Sequence, residues 1–154
     1  MKTFTTILGL LCVSATLALA GANKAGWDDD YAKGLAEAAK ENKLVLLDFT
    51  GSDWCGWCIK LDEEVFSKTE FKRFAKEKLV LVELDYPKGK NQTKKIKEQN
   101  AELKTKFKVS GYPTIVLVDA EGKEQARWVG YKATLMDELK AKVPAGAATP
   151  AEKK

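Results

Sequence analysis

The stretch Leu44-Val45-Leu46-Leu47-Asp48-Phe49-Thr50-Gly51-Ser52-Asp53-Trp54-Cys55-Gly56-Trp57-Cys58 decides how this chain is read. Residues 44–49 are a short apolar run of the kind that forms a buried strand. The far end opens an apolar-periodic stretch of helical character, Ile59 to Phe66. Two cysteines separated by two residues, after a strand and at a helix start, form the motif of a thiol–disulfide redox site. A helix N-terminus carries unpaired N–H groups and a partial positive charge. A thiolate on Cys55 is therefore expected to be stabilised there, below the range of a free thiol. Cys58 follows about one helical turn later, within reach to close a small disulfide. Cys55 is expected to attack and Cys58 to resolve.

Two blander readings of the pair are weaker. A structural zinc site needs four ligands, and the chain holds no histidine and three cysteines. A purely structural disulfide across two residues closes too small a loop to stabilise much, because the entropic gain grows with loop length.

Working outward, residues 1–20 read as a secretory signal peptide. Lys2 supplies the charged start, Phe4 to Leu19 is mostly apolar, and Ala18-Leu19-Ala20 offers a small-x-small cleavage site, with Ala20-Gly21-Ala22 as a second. The apolar stretch is short for a membrane span. Cys12 falls inside it and reads as filler, so cleavage would leave both remaining cysteines in the motif. Export would place that pair where disulfides persist, and the expected location is periplasmic or otherwise extracytoplasmic. The remaining organisation is a leader over 21–27, one domain over 28–143 and a disordered Ala/Pro/Lys tail over 144–154.

Size and charge agree with one globular domain. The chain has 154 residues, 45% of them hydrophobic, and its net charge of +4 is too mild to demand nucleic acid or an anionic surface. The lysine-rich stretch from Lys90 to Lys108 is diluted by Glu98 and Glu102 and reads as a solvated helix face.

The flanking elements follow from pattern. A helix is expected from Asp28-Asp29-Asp30 to about Glu41, the acidic triplet serving as cap. After Ile59–Phe66 comes a break at 67–70, a second helical stretch marked by Phe71, Phe74 and Ala75, and an apolar strand over 79–84. A partly buried helix over 91–107, strands over 115–118 and 124–129 joined around Gly122, and a final helix over 134–143 complete the order. The expected fold class is α/β, with a central mixed sheet of four to five strands and helices on both faces. Cys55 then lies at the carboxyl end of its strand, where such sheets bind ligands.

The residues Asp48-Phe49, Trp54-Cys55-Gly56-Trp57-Cys58-Ile59-Lys60, Gly111-Tyr112-Pro113-Thr114, Gly122 and Gly130, in this order, resemble the thioredoxin superfamily over about residues 28–143. The resemblance implies the thioredoxin fold and assigns roles. Pro113 matches the family's cis-proline, packed beside the cysteines. The backbone of Tyr112 would pair with an incoming substrate chain like an added strand. Asp48 matches a buried acid that takes the proton of Cys58. Three departures stand out. Asp48 lies one residue further from Cys55 than in the commonest spacing, so the turn over Thr50–Asp53 is expected to bulge. Glu83 stands where many thioredoxins have a lysine, and two readings stay open: a carboxyl pair with Asp48 that joins the proton relay, or an acid at the exposed end of its strand. Gly56-Trp57 replaces the frequent Gly-Pro, and Trp54 and Trp57 are read, with Gly56, as substrate contacts.

The functional expectation is an exported thiol–disulfide oxidoreductase exchanging disulfides with protein substrates, leaning towards reductase. Its electron donor is unidentified, a membrane reductase being one candidate. The competing expectations are a disulfide isomerase, an electron relay as in cytochrome c maturation, and a non-catalytic peptide-binding module. No cofactor, metal or nucleic acid is implied.

Overall fold

The computed structural model describes residues 24–143. The expected signal peptide, the first part of the leader and the tail lie outside the described residues. Helix α1 (Tyr31–Glu41) leads to strand β1 (Leu44–Thr50), helix α2 (Gly56–Leu61), a π-helical turn (Asp62–Phe66) and helix α3 (Thr69–Lys78). Strand β2 (Leu79–Asp85), helix α4 (Lys94–Lys106), the hairpin β3 (Thr114–Val118) and β4 (Glu124–Val129), and helix α5 (Leu135–Lys142) follow.

The sheet has four strands in the order β2-β1-β3-β4. β1 runs parallel to β2 and antiparallel to β3, and β3 is antiparallel to β4, so the sheet is mixed as expected. Where a fifth strand could stand, a single parallel bridge joins Asp28 to Val82 on the open edge of β2.

Side chains alternate across the sheet with period two. Leu46, Leu79, Leu81, Ile115 and Leu117 face the layer holding Leu61, Phe66, Phe71, Leu135 and Leu139. Val45, Leu47, Phe49, Val80, Val82, Leu84, Val116 and Val118 face the layer holding Ala38, Leu103 and Phe107. Burial on both faces explains why β1 reads as a continuous apolar run.

Local chemistry accounts for the element ends. Asp30 caps α1 by accepting from the Lys33 N–H, while Asp28 accepts from the Asp30 N–H. The β3–β4 turn is held by Asp119, whose Oδ1 accepts from the N–H groups of Glu121 and Lys123, and by Gly122 at φ 76°. Glycine takes this conformation without steric cost.

Three details depart from expectation. The active-site helix begins at Gly56, capped by Cys55, but Ile59, expected inside, is exposed. From Asp62 it widens, the Ser67 N–H donating to the Asp62 carbonyl five residues back. The expected leader packs from Lys24 onward: Trp27 is buried, its ring against Phe66 at 5.1 Å and Phe71 at 6.3 Å. An indole's apolar area outweighs the polar residues around it, which is why a short polar-looking segment joins the core.

Candidate active site

Cys55 is the N-cap of α2. Its Sγ accepts from the Cys58 N–H at 3.3 Å, its carbonyl accepts from the N–H groups of Cys58 and Ile59, and its own N–H donates to the Gly51 carbonyl at 2.8 Å. The two cysteines are joined as a disulfide with Cα atoms 5.2 Å apart. The pair therefore sits where a helix start offers N–H groups to a sulfur anion.

The turn that carries it is stapled to the loop after β2. Asp53 accepts from the Lys88 N–H at 3.0 Å and the Gly89 N–H at 2.6 Å. Ser52 donates to Asp85 from both N–H and Oγ, and Trp54 Nε1 donates to the Tyr86 carbonyl at 2.8 Å. Thr50 stays in regular register opposite Asp85, the turn follows from Gly51, and Asp48 lies within β1. A Cβ on Gly51 would come 2.5 Å from the Trp54 ring, so the tight turn needs glycine there. Sequence reading missed Ser52, Asp53 and Asp85. Their partners lie in a loop whose position no local pattern announces.

Above the disulfide lies an aromatic wall in two parts. Trp54 meets Tyr112 edge-on at 5.8 Å, and Tyr112 meets Tyr86 at 5.1 Å. On the other side Trp57, 59% exposed, stacks on Tyr131 at 5.7 Å, with Lys60 Nζ over both rings. The Tyr112–Pro113 peptide is cis, and the Pro113 carbonyl accepts from the Gly130 N–H at 2.8 Å. Gly56 is exposed, with open space where a Cβ would project.

Beneath the disulfide lies an acidic cavity. By parity Asp48 shares the face of Leu46, and Glu83 that of Leu81, so both point towards the layer holding α2. The two acids are direct register partners across β1 and β2. With Cys58, Asp62, Lys24 and Lys90 they line a cavity of about 300 Å³. Asp48 is 4% exposed and its Oδ1 has no hydrogen-bond partner among the described residues. Burial pushes its carboxyl up to about 8; Glu83, Asp62 and Asp85 add to the rise and Lys24 opposes it. Glu83 is half-buried, and burial raises its carboxyl too. The expected Asp48–Glu83 neighbourhood is thus present, while Lys24 and Asp62 were not foreseen. Both come from elements distant in sequence from the strands they face.

A larger groove of about 720 Å³ runs along the open edge of β2 between α1 and α3, and it contains neither cysteine. Among the described residues no helix is long and apolar enough to cross a membrane.

Comparison with known proteins agrees with this geometry. Over 99 residues, 64% of this chain, the sequence is 43% identical to the disulfide bond reductase DsbH of Chlamydia pneumoniae, of which the match spans 60%. Over 98 residues it is 37% identical to the thioredoxin-related protein DsbJ of the same organism, spanning 28% of that protein. The chain thus matches less than two thirds of the length of either relative. A solved structure of a DsbH oxidoreductase superposes with a TM-score of 0.69 at 39% identity, covering 75% of this chain and 82% of that one. The sheet order, the flanking helices and the paired cysteines are those of the thioredoxin fold. Residues 31–142 match the model of the thioredoxin-like domain, and the chain belongs to that family.

Proposed function

We propose that the protein is a thiol–disulfide oxidoreductase that reduces disulfides in exported protein substrates. The observation that carries the reading is the Cys55–Cys58 pair at the start of α2, between an exposed aromatic wall and a buried carboxyl. The name of the DsbH relative, a disulfide bond reductase, supports the direction.

In the reduced protein the Cys55 thiolate attacks one sulfur of the substrate disulfide. A Cys55–substrate bond forms, and the other substrate sulfur leaves with the electron pair. Cys58 then attacks Cys55 Sγ and the second substrate sulfur leaves. The Cys58 proton passes to the Asp48 carboxylate, and from there to solvent through the cavity. The substrate is reduced by two electrons and the cysteine pair is oxidised by two, so an external electron donor must reopen the disulfide. Trp54, Gly56, Trp57 and Tyr112 form the surface on which the substrate chain rests beside Pro113, with the Tyr112 backbone pairing like an added strand. Glu83 shares the proton relay with Asp48.

Residues 1–20 act as a signal peptide in this reading, 21–27 as the approach to the domain, 28–143 as the domain and 144–154 as a tail. The site of action is extracytoplasmic, and the donor is a membrane or soluble reductant of that compartment.

The test is equilibration against glutathione combined with turnover of a protein disulfide. A strongly reducing potential, with Cys58→Ala accumulating mixed disulfides through Cys55, is the expected result. A strongly oxidising potential would reverse the direction, and a Cys55→Ser protein that still holds its partners would mark a binding module instead.

A further inference from the structure

We propose that Lys24, from the segment ahead of α1, is the positioning cation of the acid cluster beneath Cys58 and keeps Asp48 able to accept the proton of that thiol. The inference rests on the oxidoreductase reading and adds a residue to it.

The cavity below Cys58 is unusually rich in acids. Asp48 comes from β1, Glu83 and Asp85 from β2, and Asp62 and Glu63 from the π-helical turn; all but Asp85 line the cavity. Two cations share it, Lys24 and Lys90. Lys90 donates to Ser52 Oγ at 2.9 Å, in the stapled turn. Lys24 is ion-paired with Asp62, at the point where the helix widens. Its Nζ lies 4.4 Å from the Trp27 ring centroid and 4.8 Å from that of Phe66. Cation–π contact and the ion pair together hold an ammonium in one place.

The backbone around it is equally fixed. The Trp27 N–H donates to the Lys24 carbonyl at 2.9 Å, Trp27 is buried, and Asp28 bridges to β2 through two hydrogen bonds. Lys24 also lies beyond both candidate cleavage sites, so an exported chain would retain it.

Asp48 is the group with most to gain. It is buried, one oxygen has no hydrogen-bond partner among the described residues, and a second acid stands opposite it. Burial and the neighbouring acids favour its protonated form, and Lys24 counters them at Asp48 and also at Glu83, where Lys90 acts with it. A protonated Asp48 cannot accept the Cys58 proton. Removing the charge of Lys24 therefore shrinks the working fraction of Asp48 at neutral pH, and each pH unit of displacement costs about tenfold in that fraction.

The experiment compares wild type with Lys24→Met, which keeps an unbranched stem over Trp27 and Phe66 without the charge, and Lys24→Arg, which restores it. Circular dichroism checks folding. Carbon-13 NMR follows Asp48 titration, and stopped-flow release of the substrate thiol from a Cys55 mixed disulfide follows resolution against pH. In Lys24→Met the Asp48 midpoint should rise by about half a pH unit or more. Resolution at pH 7 should slow by about threefold or more and recover at higher pH, as that displacement dictates. Lys24→Arg should return both to wild type. An unmoved Asp48 midpoint in folded Lys24→Met overturns the inference, as does slowing that is equal at every pH. A wild type that exchanges no protein disulfide would overturn the functional reading alone, since the titration remains readable without turnover.

Discussion

The two sides of the disulfide are built from opposite chemistry. Above it, Trp54, Trp57, Tyr112 and Tyr131 offer broad rings, with Trp54 and Trp57 exposed. Below it, Asp48, Glu83 and Asp62 share a small cavity with two lysines. The upper side can contribute contact area and orientation to an extended substrate, and it carries few groups able to move a proton. The lower side is a cavity of only about 300 Å³, in which burial pushes the Asp48 carboxyl up to about 8 and raises that of Glu83. The lesson is a division of labour: substitutions above should change which substrates bind and how tightly, and substitutions below should change how the reaction depends on pH.

The largest expected effect comes from below. Asp48→Asn removes the proposed proton acceptor, and resolution of a mixed disulfide at pH 8 should slow by about a hundredfold. The same change should stabilise the protein. Asp48 titrates at about 8 in the fold against an ordinary 3.8, so between those values the folded state binds more protons than the unfolded. Stability is therefore fully present below the ordinary value and is lost as pH rises towards 8. Asp48→Asn should gain up to about 4 kcal/mol at pH 7, at 1.36 kcal/mol per pH unit, and gain nothing near pH 3. Urea melts at the two pH values check it, and equal gains at both would break the link to titration.

Next comes Trp57→Ala on the upper side. Loss of an exposed indole from a contact surface should raise KM for a protein disulfide by about tenfold. The pH profile of turnover should not move, and a displaced profile would show that the two sides are not separable.

Glu83→Gln sharpens the lower half. It removes one of the acids that raise Asp48, so the Asp48 midpoint in carbon-13 NMR should fall below its wild-type value. An unchanged midpoint would leave Glu83 outside the relay.

The smallest effect concerns the staple shared by both sides. The Lys88 and Gly89 N–H groups hold the Asp53 carboxyl below its ordinary range. A group lowered in this way stabilises the fold above its ordinary value and loses that contribution as pH falls through the lowered one. Asp53→Ala should lower Tm by a few degrees at pH 7 and by less in acid, as scanning calorimetry at both pH values can read. An equal loss at both would assign the effect to packing.

How much of this was legible in the sequence varies with the range of the interaction. The cysteine pair and the strand before it could be read directly, because each depends on spacing within a few residues; the cis bond at Pro113 was expected from the family resemblance alone. The nearness of Asp48 and Glu83 was suggested by the family resemblance, and only strand pairing sets them opposite each other. The helix start at Cys55 was legible as well, whereas the outward turn of Ile59 was not, because its apolar side chain fits the same helical stripe as Leu61 and Val65.

By itself, then, the sequence determined a redox cysteine pair in an α/β frame: hydrophobic periodicity and motif spacing are local properties that survive without coordinates. Only the tertiary structure decided the surroundings of that pair. Lys24 reaches Asp62 because Trp27 is buried beside Phe66, and Asp53 reaches Lys88 and Gly89 because two loops meet at one end of the sheet. Such contacts join elements far apart along the chain, and their geometry exists only once the core has docked those elements together.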